Sequence, residues 1–179
     1  MSTLDTILTR KSVRAYTGEP ATAEEEKQVL LAAEAAPIAM GTYDSVHMTV
    51  IKDEGLLAKI DAAGGKMFGD PSIKPLYGAP EFVLISAKVP EGDLNGANVA
   101  FSNAAIMAEN MTLEATELGL GSCLIWGAIR AVNADAALVA ELGLPEGFTP
   151  CCGVIFGKTD EALAKREIDA TRIATDTIA

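Results

Sequence analysis

Residues 97 to 118, ANVAFSNAAIMAENMTLEATEL, make the longest helix that the apolar pattern supports, and Gly119 closes it. Its apolar positions are interleaved with Ser102, Ala104, Ala105, Ala108 and Ala115. Small side chains let a second helix approach closely. Such a helix is either the buried centre of a domain or a helix shared between two copies of the chain, and both can hold.

The flanking elements alternate around it without a repeating βαβ rhythm. Residues 3 to 9 predict a short helix with Leu4, Ile7 and Leu8 on one face. Thr22-Ala23-Glu24-Glu25 is a capping-box pattern with acids matched to the helix dipole. It opens a helix carrying Val29, Leu30 and Ala33 that stops near Pro37. SVHMTVIK (45 to 52) alternates as a strand, and EGLLAKIDAAGG (54 to 65) reads as a short helix ended by Gly64-Gly65. Residues 64 to 80, rich in Gly, Pro and Lys, predict a mobile loop. PEFVLISAK (80 to 88) has the length and apolarity of a buried strand. GSCLIWGAI (121 to 129) reads as a strand leading into a loop, and NADAALVAELGL as a helix capped at Asn133. FTPCCGVIFGK (148 to 158) is a last strand, followed by a polar tail from 160 that needs something to lie against. No repeat or linker divides the 179 residues, so the expectation is one α+β domain over 1–179.

The net charge of −11 argues against nucleic acid or an anionic membrane as the main partner. No stretch approaches the roughly 20 apolar residues of a membrane span. MSTLDTILTRKSVR lacks the apolar core of a secretory signal, so a cytoplasmic location is expected. Cys123, Cys151 and Cys152 are odd in number and form no CxxC pair, and they read as buried reduced thiols. His47, the sole histidine, lies in a strand-like run and cannot build a His-rich metal site.

Catalytic side chains are scarce. The glycines of LGLGSC (118 to 123) lie between a helix and a strand, the reverse of a dinucleotide fingerprint. No Ser-His-Asp arrangement or GxSxG elbow exists, and no two carboxylates pair visibly. Any chemistry therefore belongs to a cofactor. TRKSVRAYTG (9 to 18) carries most of the remaining signal, because it gathers Arg10, Lys11 and Arg14 within five positions of an acidic chain. Helix C-capping accounts for one or two of these charges. In an extended segment Ser12 and Arg14 fall on one side, and together they suit a small anion or an imide edge.

LDTILTRKSVRAYTGEPATAEEEKQVLLAAEAAP resembles the opening of the nitroreductase family of FMN enzymes, in which a basic-basic-Ser-x-basic motif follows a first helix. Here the motif is Arg10, Lys11, Ser12 and Arg14, followed by Tyr16 and then Ala36-Pro37. ELGLGSCLIWGAIR and GVIFGKTDEALAKRE are similar to the family's Gly-rich segment and to its last core strand with a basic tail. The resemblance implies a nitroreductase-like α+β fold, with a central mostly antiparallel sheet flanked by helices, in an intertwined homodimer with FMN at the subunit interface. The tail, 160–179, would pack on the partner subunit.

By the same resemblance Arg10, Lys11, Ser12 and Arg14 would hold the flavin's phosphate, ribityl chain and pyrimidine edge. Ile125, Trp126 and Gly127 would face the isoalloxazine, and Lys165 and Arg166 would return to the phosphate. Pro37, Ile38, Ala39 and Met40 would come from the other subunit, and Lys74 would reach the pyrimidine carbonyls. The implied activity is hydride transfer from NAD(P)H to FMN, then reduction of a small acceptor such as a nitroaromatic or quinone. The alternatives are another flavin reaction of the same fold and a non-catalytic flavin carrier or sensor. One departure stands out: Gly41 occupies the place of the family's usual Asn, and no Gln-Pro-Trp follows. Substrate identity therefore does not carry over.

Overall fold

The computed structural model describes residues 1–178. Its centre is a four-stranded antiparallel sheet in the order β1-β2-β4-β3, built from β1 (Val46–Ile51), β2 (Glu81–Lys88), β3 (Gly121–Ile125) and β4 (Phe148–Gly157). The two central strands are apolar on both faces, as strands covered by helices on either side must be. Val83 and Ile85 of β2 face one layer, formed by α2 (Ala23–Glu34) and α4 (Leu94–Glu117). Phe82 and Leu84 face the other, formed by α3 (Glu54–Phe68), α5 (Gly127–Asn133) and α6 (Ala136–Glu141). The result is a helix–sheet–helix sandwich of mixed α+β class, with α1 (Thr3–Thr9) lying against α4.

Local signals account for most of these elements. The capping box at Thr22 forms in full: Thr22 Oγ1 accepts from the Glu25 N–H, and the Glu25 carboxylate accepts from the Thr22 N–H. The long helix is α4, with Ala104, Ala108, Met111 and Ala115 buried against the sheet. Cys123, Cys151 and Cys152 are free and buried, and His47 sits in β1 beside the Phe148 ring. Among the described residues no helix is long and apolar enough to cross a membrane, and no cluster of metal-ligating groups occurs.

Four expectations require correction. Gly64-Gly65 do not end a helix, since α3 continues to Phe68 and its left-handed cap is Gly69. The glycines serve close approach instead: a Cβ at Gly64 would lie 2.4 Å from Pro75 Cγ, and one at Gly65 would lie 3.1 Å from the Asp70 carbonyl. The segment after α3 is therefore folded back on it rather than loose, with Leu76 buried and its N–H donating to Asp61 Oδ1. Trp126 leads not into a loop but into α5, a short helix whose Ala128, Ile129 and Val132 are buried. Asn133 ends α5 instead of capping the next helix; Asp135 caps α6. The helix over 3–9 forms as α1, and it turns Thr6 and Thr9 inward while Leu4 and Ile7 are exposed. A short amphipathic pattern says which residues share a face, not which face the chain covers.

Candidate functional site

The basic segment is held at the β3 edge by main-chain geometry. α1 ends at Arg10, and the chain continues extended so that Ser12 forms an isolated parallel bridge with Ser122. The Val13 N–H donates to the Ser122 carbonyl at 2.9 Å, and the Thr17 N–H donates to Lys158 at 3.0 Å. Val13 is fully buried, so its neighbours Ser12 and Arg14 point away from it, as alternation in an extended segment demands.

These side chains meet around Cys123. Burial pushes the Cys123 thiol up, while the Ser12 hydroxyl and the Arg14 and Arg10 charges pull against it. Arg14 and Cys123 line a cleft of about 340 Å³, together with Leu124, Ile125, Trp126 and Gly127. Its opposite wall comes from the end of α3 and the segment after it, through Phe68, Ile73, Pro75 and Tyr77. Trp126 is 54% exposed and tilts against Phe101 of α4, with ring centroids 6.2 Å apart. An exposed indole next to an uncovered phenyl ring is a ready surface for a flat partner. A larger cavity, about 480 Å³, lies between α3 and the start of β2 and contains none of the expected site residues.

The cations differ in how far they are committed. Lys11 Nζ pairs with Glu161 Oε2 at 2.6 Å. The other oxygen of Glu161 accepts from the N–H groups of Arg14 and Ala15, both at 3.1 Å. Lys165 pairs with Asp5, and Arg166 donates to the Leu8 and Ile7 carbonyls, capping α1. Residues 161 to 166 of the tail thus lie along their own chain's first helix and the basic segment that follows it. Arg10 has only a 3.5 Å contact with Glu109. Arg14 has no carboxylate within 4.0 Å among the described residues. On a chain of net charge −11, Arg14 is left without a carboxylate partner and Arg10 is only loosely paired.

The remaining expected residues lie elsewhere. Lys74 is exposed, on the segment that supplies Ile73 and Pro75 but outside the cleft lining. Pro37, Ile38, Ala39 and Met40 precede β1, at the opposite edge of the sheet from β3. Ile38 is buried, and the Ala39 N–H donates to Asn103 Oδ1 of α4. Met40 is 92% exposed in a left-handed conformation, φ 56°. One chain does not bring this group to the cleft. Sequence reasoning missed Phe68, Tyr77 and Cys123, which line it. Composition hid the first two by making their surroundings read as loop; Cys123 read simply as a core thiol.

A model of the nitroreductase family matches residues 7–158. The chain belongs to the nitroreductase family. It is 28% identical over 172 residues to FMN reductase (NAD(P)H) of Bacillus subtilis (strain 168), covering 87% of this chain and 65% of that protein. It is 27% identical over 165 residues to NADPH-flavin oxidoreductase of Vibrio harveyi, covering 89% and 67%. The chain thus spans about two thirds of the length of these relatives. Among solved structures, a nitroreductase with bound FMN from Bacteroides fragilis NCTC 9343 superposes with a TM-score of 0.79 at 28% identity, covering 99% of this chain and all of that one. A nitroreductase with bound FMN from Desulfitobacterium hafniense DCB-2, at 21% identity and a TM-score of 0.81, shares the fold.

Proposed function

We propose that the protein is an FMN-dependent oxidoreductase that takes hydride from NAD(P)H and passes electrons to a small acceptor such as a nitroaromatic or a quinone. One observation carries this reading. The Ser12–Ser122 bridge delivers Arg14, a cation with no carboxylate partner among the described residues, to a cleft walled by Trp126. The donor set fits the cofactor: two guanidinium groups, a hydroxyl, the main chain of 125–127 and an exposed aromatic face.

Bound there, FMN would supply the two-electron chemistry at N5. The chain's own residues bind and orient. Arg14 would present positive charge to the pyrimidine edge of the bound ring, a preorganised electrostatic contribution that water would not match. Arg10 is suited to the phosphate and Ser12 to the ribityl chain, while Ile125, Trp126 and Gly127 form the floor. Lys11, Lys165 and Arg166 hold Glu161, Asp5 and the α1 carbonyls, so their contribution is to brace the segment carrying Arg10 and Arg14.

The wall missing from a single chain fits a second copy. The helix α4 exposes Leu94, Val99, Phe101 and Ile106, and α1 exposes Leu4 and Ile7. A homodimer joined through these apolar faces would bury them and bring the partner's 37–40 segment to the cleft. The test is the spectrum of purified protein reconstituted with FMN, before and after anaerobic NAD(P)H. Stoichiometric uptake and bleaching of the bound flavin are expected. A protein that takes up no FMN, or whose bound FMN neither nicotinamide bleaches, would overturn the reading.

A further inference from the structure

Tyr77 stands out among the cleft residues because its backbone is strained and its side chain is engaged. Its φ is 53°, a left-handed conformation that residues with a Cβ rarely adopt, and Gly78 follows at 73°. Such a conformation persists when the surrounding structure over-determines it. The surroundings do so here. The Tyr77 N–H donates to Lys74 and the Ala79 N–H to Leu76, Leu76 is buried, and Pro75 seats against Gly64 of α3.

What the conformation accomplishes is the placement of one ring. Arg14 Cζ lies 5.6 Å from the centroid of Tyr77, in the range of a cation–π contact. The neighbouring tyrosine favours the charged form of Arg14, whose pKa is raised. Arg14 has no side-chain hydrogen bond and no ion pair among the described residues, so without the Tyr77 ring its long side chain would be free to sample many rotamers.

We propose that Tyr77 is a positioning residue, which holds the Arg14 guanidinium at the cleft so that its charge is already oriented when a flat, electron-rich ligand arrives. The inference rests on the flavin reading for the identity of that ligand, and on the Arg14–Tyr77 geometry for the rest. Preorganisation of a long cation lowers the ordering cost that binding would otherwise carry. It also explains why a tyrosine occupies a position that glycine would fill without strain.

The test compares the wild type with Tyr77→Gly and Tyr77→Phe. In the flavin-free protein, NMR of the Arg14 Nε–H is expected to show hydrogen exchange about fivefold or more faster in Tyr77→Gly, given the usual strength of such contacts. The dissociation constant for FMN rises by a similar factor, while the thermal midpoint stays the same or increases because the strain is relieved. Tyr77→Phe, which keeps the ring, returns affinity to within about twofold. Unchanged exchange and affinity in Tyr77→Gly would overturn the proposal. So would an affinity loss that follows a loss of thermal stability and is not rescued by phenylalanine. If the wild type takes up no FMN, the flavin reading fails, and the exchange comparison alone decides the role of Tyr77.

Discussion

Gly121 of β3 and Val13 of the basic segment are packed so closely that a Cβ at position 121 would lie 2.8 Å from Val13 Cγ1. Thr159 closes the same space from the other side, with Cγ2 at 2.9 Å. Space, not backbone freedom, keeps this position a glycine. Gly121→Ala is therefore expected to push the basic segment from the sheet edge. The loss is about 1–3 kcal/mol in chemical denaturation, with weaker FMN uptake. Unaltered stability and uptake would show that the segment is anchored elsewhere.

The cations of the basic motif should separate by mutation. Arg14→Ala removes a guanidinium with no carboxylate partner, and a charge-assisted contact to the cofactor is worth about 1.5–3 kcal/mol. The FMN dissociation constant should then rise by roughly 10- to 100-fold. Lys11→Ala should change it by less than about threefold, because Lys11 is committed to Glu161 at 2.6 Å. Fluorescence titration with FMN distinguishes the two variants, and equal losses would refute the division of labour.

If the outward face of α4 joins two copies, Ile106→Arg places a charge in the middle of that contact. Ile106 is 39% exposed and flanked by Ala105, with Phe101 also uncovered on this helix. The variant is expected to elute as a monomer in size-exclusion chromatography with light scattering and to retain FMN poorly. A wild type that is itself monomeric at micromolar concentration would dispose of the dimer.

Glu81 supplies a pH dependence of stability. Its carboxylate is buried at the start of β2, and burial raises its pKa to about 7, with Lys52 opposing and Glu26 adding to the rise. A carboxyl group raised in the folded state contributes stability that is fully present below the unfolded value of 4.5 and is lost as pH rises to about 7. The decrease expected from this group is about 3 kcal/mol at most. Denaturation curves between pH 4.5 and 7.5 should show it in the wild type. Glu81→Gln should flatten it, and identical slopes would assign the effect to other groups.

Elements whose signals lie within one turn or one strand were legible from the chain itself. The Thr22–Glu25 box, the four strands and the small-residue helix α4 all form where the pattern placed them. What misled were residues whose reason lies far away in the chain. Gly64-Gly65 look like a stop but accommodate the backbone and proline of residues 70 to 75. The site divides in the same way: the motif around Arg14 was readable, whereas the wall carrying Phe68 and Tyr77 was not.

By itself the sequence determined the mixed α+β architecture, the scarcity of catalytic side chains and the basic segment that points to a bound anion. Periodicity, capping and composition are local, and they suffice for those conclusions. The tertiary structure decided which cations are free. Lys11 is neutralised by Glu161, 150 positions away, and Lys165 by Asp5, 160 positions away, while Arg14 meets only the Tyr77 ring. Ion pairing depends on distance in space, and no spacing along the chain encodes it.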